Sequence, residues 1–275
     1  MVKLGLIAGG GALPISLAAH CRAVGRPLFV LRLKGFAGPG LEGFDGVEAG
    51  VAELGRGIDA LRGAGCGAVC FAGKVDRPDL AALKPDLRGL AALPGAIAAA
   101  RRGDDGLLSF LIQEFEKEGF AVEGAHEVMR GLTLPTGPLG RHAPAPGDAG
   151  DVGRALEAAR AIGRLDIGQG AVACDGLVLA LEAQEGTDAM LRRVAGLPAA
   201  IRGGAGRPRG VLAKTSKPGQ ELRVDLPTIG PETVRRAAEA HLAGIAGEAG
   251  QILVLAREET IRLADEAGLF ILGVD

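Results

Sequence analysis

The chain has 275 residues, enough for two domains of ordinary size, each with its own core. Its 31 Lys and Arg nearly balance its 33 Asp and Glu, so the charge points to no polyelectrolyte partner. With no Trp, no Tyr and eight Phe there is little to stack against bases, which argues against a nucleic-acid reader.

The first nineteen positions carry a lysine and an apolar run, as a signal peptide does, but Gly5, Gly9, Gly10, Gly11 and Pro14 interrupt it. A strand over 2–8, a glycine turn and a helix over 13–24 account for the same letters. A second strand is expected over 28–33, a helix over 53–62 and a third strand over 68–72, with Gly73 and Lys74 at its carboxyl end. This alternation predicts a parallel, doubly wound sheet. Helical patterns follow over 79–84, 95–102 and 104–117. The last carries Leu107, Leu108, Leu111, Ile112 and Phe115 on one face, and a strand over 120–123 returns to the sheet. Residues 135–150 hold Pro135, Pro138, Pro144 and Pro146 among glycines and show no periodicity, so they read as a linker. The expected domains are therefore 1–134, Rossmann-like, and 151–275, mixed α/β.

In the second half a helix is expected over 151–162. Strands over 170–173 and 177–182 flank an Asp175-Gly176 hairpin turn, and Gly186, Thr187 and Asp188 open a helix through 195. A loop over 202–210 precedes a hairpin of apolar runs 211–213 and 222–224, joined by a Pro-Gly loop bearing Lys214, Lys217 and Gln220. Then come a helix over 231–246, a strand over 251–255, a helix over 258–267 and a strand over 269–272. No stretch is long and apolar enough for a membrane span, and the expected location is the cytoplasm. Cys21, Cys66, Cys70 and Cys174 form no CxxC pair, and the four histidines show no zinc spacing, so buried reduced thiols are expected.

Three constellations carry chemistry. Gly9, Gly10 and Gly11 lie between a strand and a helix, where small residues and helix N–H groups accept phosphate. As a nicotinamide fingerprint the loop fails twice. Pro14 stands where the third glycine would fall, and Arg32-Leu33-Lys34 offers no acid to a ribose. A ligand-free tight turn is the competing reading. Lys74, at the same sheet edge, either meets a phosphate or is simply solvated. Glu182, Glu185 and Asp188 gather acids at another strand end and helix start. This is routine capping chemistry, unless Asp188 or Glu185 shares a divalent ion with Asp225. Asp225 is expected at a strand's carboxyl end, before Leu226-Pro227 and facing a helix start. One carboxylate with Lys214, Lys217 and Gln220 suits an anionic substrate that also needs a metal or a base, against the alternative of a solvated hairpin. No GxSxG, HExxH or GxxxxGK[ST] is present.

Along its whole length the chain resembles the UDP-2,3-diacylglucosamine pyrophosphatases of the LpxI type. The segments that carry the resemblance are GLIAGGGALP, EGTDAML and KPGQELRVDLPTIG. The resemblance implies two α/β domains with the active site in the crevice between them. It implies hydrolysis of UDP-2,3-diacylglucosamine to UMP and 2,3-diacylglucosamine 1-phosphate with Mg2+, by attack at the β-phosphorus, and a homodimer formed through the second domain. It places the essential, metal-holding aspartate on Asp225. By position in the motifs it assigns substrate contact to Gly9, Gly10, Gly11, Leu13 and Lys74 in the first half. In the second half the contacts fall on Gly186, Thr187, Asp188, Lys214, Lys217 and Gln220. Contact with the inner membrane is expected to be peripheral and weak. Two alternatives stand: a two-domain nucleotide-ligand sensor without turnover, in which Asp225 only contacts a ribose, and a nicotinamide enzyme, which the faulty fingerprint weakens.

Overall fold

The computed structural model describes residues 1–75, 83–101 and 104–275. The chain forms two compact units. One is Met1–Arg130 with Glu221–Asp225, and the other is Gly131–Gln220 with Leu226–Asp275.

The first unit runs β1 (Leu4–Ala8), α1 (Ala12–Ala23), β2 (Leu28–Leu33), β3 (Gly46–Ala49), α2 (Leu54–Gly63), β4 (Ala68–Ala72), α3 (Leu87–Ala100), α4 (Asp104–Lys117), β5 (Ala121–Val122) and α5 (Ala125–Val128). Its five strands pair in parallel in the order β3-β2-β1-β4-β5. β1 is buried along its length, as a central parallel strand covered on both faces must be. On one face Ile7, Leu31, Ile58, Leu61, Val69 and Phe115 form a core, and Phe71 meets Phe115 edge to face at 5.2 Å. The chain leaves β1 toward β2 on one side while β4 lies on the other. The carboxyl ends of β1 and β4 therefore form the switch point at which such sheets bind ligands.

Two elements here differ from expectation. β3 forms in a stretch that carried no strand pattern, because Gly46 closes on the carbonyl of Val30, where a Cβ would lie 1.9 Å from the oxygen. The helix expected over 95–102 begins at Leu87, where Asp86 accepts the Gly89 N–H at 2.7 Å, and it runs through Pro94. Of the helix expected over 79–84, positions 79–82 lie outside the described residues.

The second unit opens with β6 (Gly137–Pro138), α6 (Ala149–Arg164), β7 (Gly170–Cys174), β8 (Leu177–Leu181), α7 (Gly186–Ala195), α8 (Ala199–Arg202), β9 (Gly203–Gly204) and β10 (Arg207–Pro208). It continues with β11 (Val211–Lys214), β12 (Thr228–Ile229), α9 (Pro231–Glu239), β13 (Gly244–Glu248), β14 (Leu253–Val254), α10 (Arg257–Ala267) and β15 (Phe270–Val274). The six-stranded sheet has the order β6-β15-β13-β11-β7-β8, with β15, β13 and β11 parallel and the remaining pairings antiparallel. One face packs Val172, Leu212 and Ala180 against α7 and α9; the other packs Val211, Ala213 and Ala173 against α6.

The hairpin expected over 211–224 does not exist. β11 pairs with β7 and β13, and Leu222–Val224 is a turn. The single helix expected over 231–246 ends at Glu239, where His241 takes a φ of 55°. Beyond it β13 enters the sheet centre, with Gly244 flat against the Phe270 ring. An Ala-Gly-Ile run buried on both faces shows no period, so helix and strand read alike there.

Candidate active site

In the first unit the glycine loop is stitched to the end of β4. Gly9 N–H donates to Ala72 O at 2.8 Å, Gly10 N–H to Lys74 O at 2.8 Å, and Lys74 N–H to Gly10 O at 2.9 Å. This approach needs bare backbone. A Cβ on Gly9 would lie 2.7 Å from Lys74 O, and one on Gly73 would lie 2.5 Å from Gly10 O. Gly11 takes a φ of 91° as the residue before α1. The loop, with Leu13 in the first turn of α1, and Lys74 thus share the switch point, and the Lys74 side chain is exposed there. Gly73→Ala adds a Cβ at a φ of 92° against a carbonyl. It should cost at least about 1–2 kcal/mol and displace Lys74, which a urea unfolding midpoint measures.

Asp225 ends a one-turn segment rather than a strand. Val224 N–H and Asp225 N–H both donate to Glu221 O at 3.0 Å. Glu221 also takes the Arg223 N–H and guanidinium, and Arg223 reaches Glu116 of α4 at 2.8 Å. The Arg223 guanidinium holds the Glu221 carboxyl below the usual carboxylate range. Val224 packs against the first unit's core. Although its sequence neighbours lie in the second unit, half-buried Asp225 is carried by the first, and a Pro-stopped strand end misplaced it.

The second unit brings together Lys214, Thr187 and Glu182. Lys214 ends β11 opposite Gly170, and Glu182, just past β8, donates its N–H to Gly170 O at 2.8 Å from the other side. Residues opposed across antiparallel strands share a face, so Lys214 and Glu182 flank a position with no side chain. The Glu182 carboxylate lies over that position: a Cβ on Gly170 would be 2.3 Å from Oε2. Lys214 Nζ donates to Thr187 Oγ1 at 2.8 Å and to Thr228 O at 3.1 Å, and Thr187 Oγ1 donates to Glu182 Oε1 at 3.1 Å. Lys214 is 5 % exposed and Glu182 6 %. Buried charges of this kind persist only when paired and hydrogen-bonded.

The neighbouring residues lie at the start of α7 and in the loop after β11. Gly186 takes a φ of 78° and opens α7, with Asp188 half-buried in its first turn. Glu185 pairs with Arg193, and hydrogen bonds from its own backbone N–H and from Arg193 lower its carboxyl. Gln220 is buried and accepts the Lys217 N–H at 2.9 Å, while Lys217 Nζ meets Asp166 at 2.8 Å. From the sequence Glu182 groups with the capping acids, and neither Gly170 nor Thr228 stands out. The signal for Glu182 and Gly170 is the register of β11, β7 and β8, whereas Thr228 lies in β12, which pairs with β14.

Among the described residues, Asp151, Cys174 and Asp175 are close enough to share an ion. They are already engaged. Asp151 accepts the N–H groups of Asp175 and Gly176 at 3.0 and 2.8 Å, Asp175 pairs with Arg209, and burial raises the Cys174 thiol. Among the described residues Asp225 belongs to no such group of three, and its own contribution is a single carboxylate. That donor set fits magnesium, which keeps water and shares substrate phosphate, and does not fit an all-protein cage. Thiol chemistry is disfavoured too, since burial pushes Cys70 up to about 12.

Residues 3–132 match the family model of the LpxI N-terminal domain and residues 135–272 that of the LpxI C-terminal domain. The chain is 63 % identical over 275 residues to the UDP-2,3-diacylglucosamine pyrophosphatase LpxI of Caulobacter vibrioides, covering all of this chain and 98 % of that protein. With both domain models matched in order and a full-length relative at that identity, the chain belongs to the LpxI family.

Proposed function

We propose that this chain hydrolyses the pyrophosphate bond of UDP-2,3-diacylglucosamine to 2,3-diacylglucosamine 1-phosphate and UMP, a step of lipid A synthesis. The observation that carries this reading is the full-length identity to a pyrophosphatase of that name. In the reaction a water oxygen bonds to phosphorus, the P–O bond to the bridging oxygen breaks, and that oxygen leaves on the other phosphate. Asp225 orients the water and takes up its proton. Magnesium held by Asp225, when bound, would neutralise charge developing on the phosphate oxygens. Lys74 and the glycine loop receive phosphate at the switch point of the first unit. In the second unit Gly186, Thr187 and Asp188 at the start of α7, with Lys214, Lys217 and Gln220, contact the substrate, and the helix start and the lysines add positive potential.

Among the described residues no helix is long and apolar enough to cross a membrane. In this reading the enzyme is cytoplasmic, works as a homodimer and meets the inner membrane only peripherally. On α3, Leu87, Leu90 and Ile97 are exposed at helical spacing, which supports brief contact with the lipid phase. Activity should be lost in excess chelator and return with magnesium, followed as UMP release from the diacylated sugar nucleotide. Full turnover in chelator would remove the metal from the mechanism. Absence of turnover in any divalent ion, with tight ligand binding retained, would favour the sensor.

A further inference from the structure

We propose that Glu182 is a positioning residue for substrate binding, acting through Thr187 and Lys214. The inference rests on the reading of Thr187 and Lys214 as substrate-binding residues. A threonine hydroxyl has one proton. Here the oxygen accepts from Lys214 Nζ, so that proton is directed to Glu182 Oε1. The chain Lys214 to Thr187 to Glu182 therefore runs one way only and fixes the Thr187 rotamer in the first turn of α7. The same chain anchors the end of β11 to the end of β8 across the empty position at Gly170.

The Glu182 carboxylate is buried, Oε1 is taken by the Thr187 hydroxyl, and Oε2 is enclosed without a hydrogen-bond partner among the described residues. Its contribution is a defined, charged acceptor for the Thr187 proton in the bond chain that begins at Lys214. Losing it leaves α7 able to form but leaves the Thr187 hydroxyl without its charged acceptor, so the hydroxyl that Lys214 bonds is no longer fixed. Such a loss weakens substrate and transition state alike, so it appears in KM with kcat little changed.

The test is a steady-state comparison of the parent, Glu182→Gln, Thr187→Val and the double variant on the diacylated sugar nucleotide. Glu182→Gln keeps the shape and removes the charge. KM should rise about ten- to hundredfold, the range of a hydrogen bond to a charged group. Thr187→Val should do the same, and the double variant should be no worse than the poorer single one. Gly170→Ala gives a second route, because its Cβ displaces the carboxylate without changing any charge. It should raise KM in the same way, and it decides the matter if Glu182→Gln does not fold. A folded Glu182→Gln or Gly170→Ala with parental KM overturns the inference, as does full additivity of Glu182→Gln and Thr187→Val. A parent chain without turnover would instead overturn the proposed function.

Discussion

Alanine at position 225 should leave a folded protein that holds its lipid nucleotide uncleaved. The turn that carries Asp225 is closed by its backbone N–H to Glu221 O, by the Glu221–Arg223–Glu116 chain and by Val224 in the core. Alanine keeps every one of these. The fold should therefore persist, with a cost of about 0.5–3 kcal/mol, the ordinary range for a single substitution. Binding should persist as well, since the glycine loop, Lys74 and the start of α7 are untouched. The rate should fall by about a hundredfold to a thousandfold or more, the usual loss for one group acting on the reacting centre. UMP release measures the rate, and mass spectrometry of the purified variant detects the retained substrate. Near-parental turnover, or inactivity that merely follows unfolding, would remove Asp225 from the catalytic role.

Lys214→Met should strongly destabilise the second unit. It removes the cation from a buried, hydrogen-bonded cluster and leaves the Glu182 carboxylate, at 6 % exposure, with the Thr187 hydroxyl but without the ammonium beyond it. Uncompensated buried charge typically costs about 3–5 kcal/mol, whereas replacing both partners by apolar groups is often neutral. Lys214→Met alone should thus shift the urea midpoint strongly. Lys214→Met with Glu182→Leu should recover most of the stability and none of the activity. A single variant within about 1 kcal/mol of the parent would show that the cluster is hydrated and weakly coupled.

Several features were settled by local chemistry alone. The alternating runs that become β1, α1, β2, α2 and β4 announced a parallel sheet, because a strand buried on both faces and an amphipathic helix differ in period. Asp175-Gly176 announced the β7–β8 turn, where both residues take positive φ. The glycine loop and the 214–230 motif were legible as strings, and the family follows from them.

Pairing between segments far apart in sequence could not be read this way. Leu222-Arg223-Val224 is too short for its period to distinguish strand from turn. Its conformation was decided by Glu221 capping the turn and by Val224 finding a core in the other unit's sequence. The 244–248 run entered the sheet because Gly244 lets the Phe270 ring lie against it. Glu182 and Lys214 became partners only through register: each lies beside Gly170, and a missing side chain carries no information until its neighbours are known. Composition, periodicity and motif therefore determined the class of fold, the family and the candidate acid. Tertiary structure decided which buried charges meet, because burial and strand pairing are set by contacts that no local window of sequence contains.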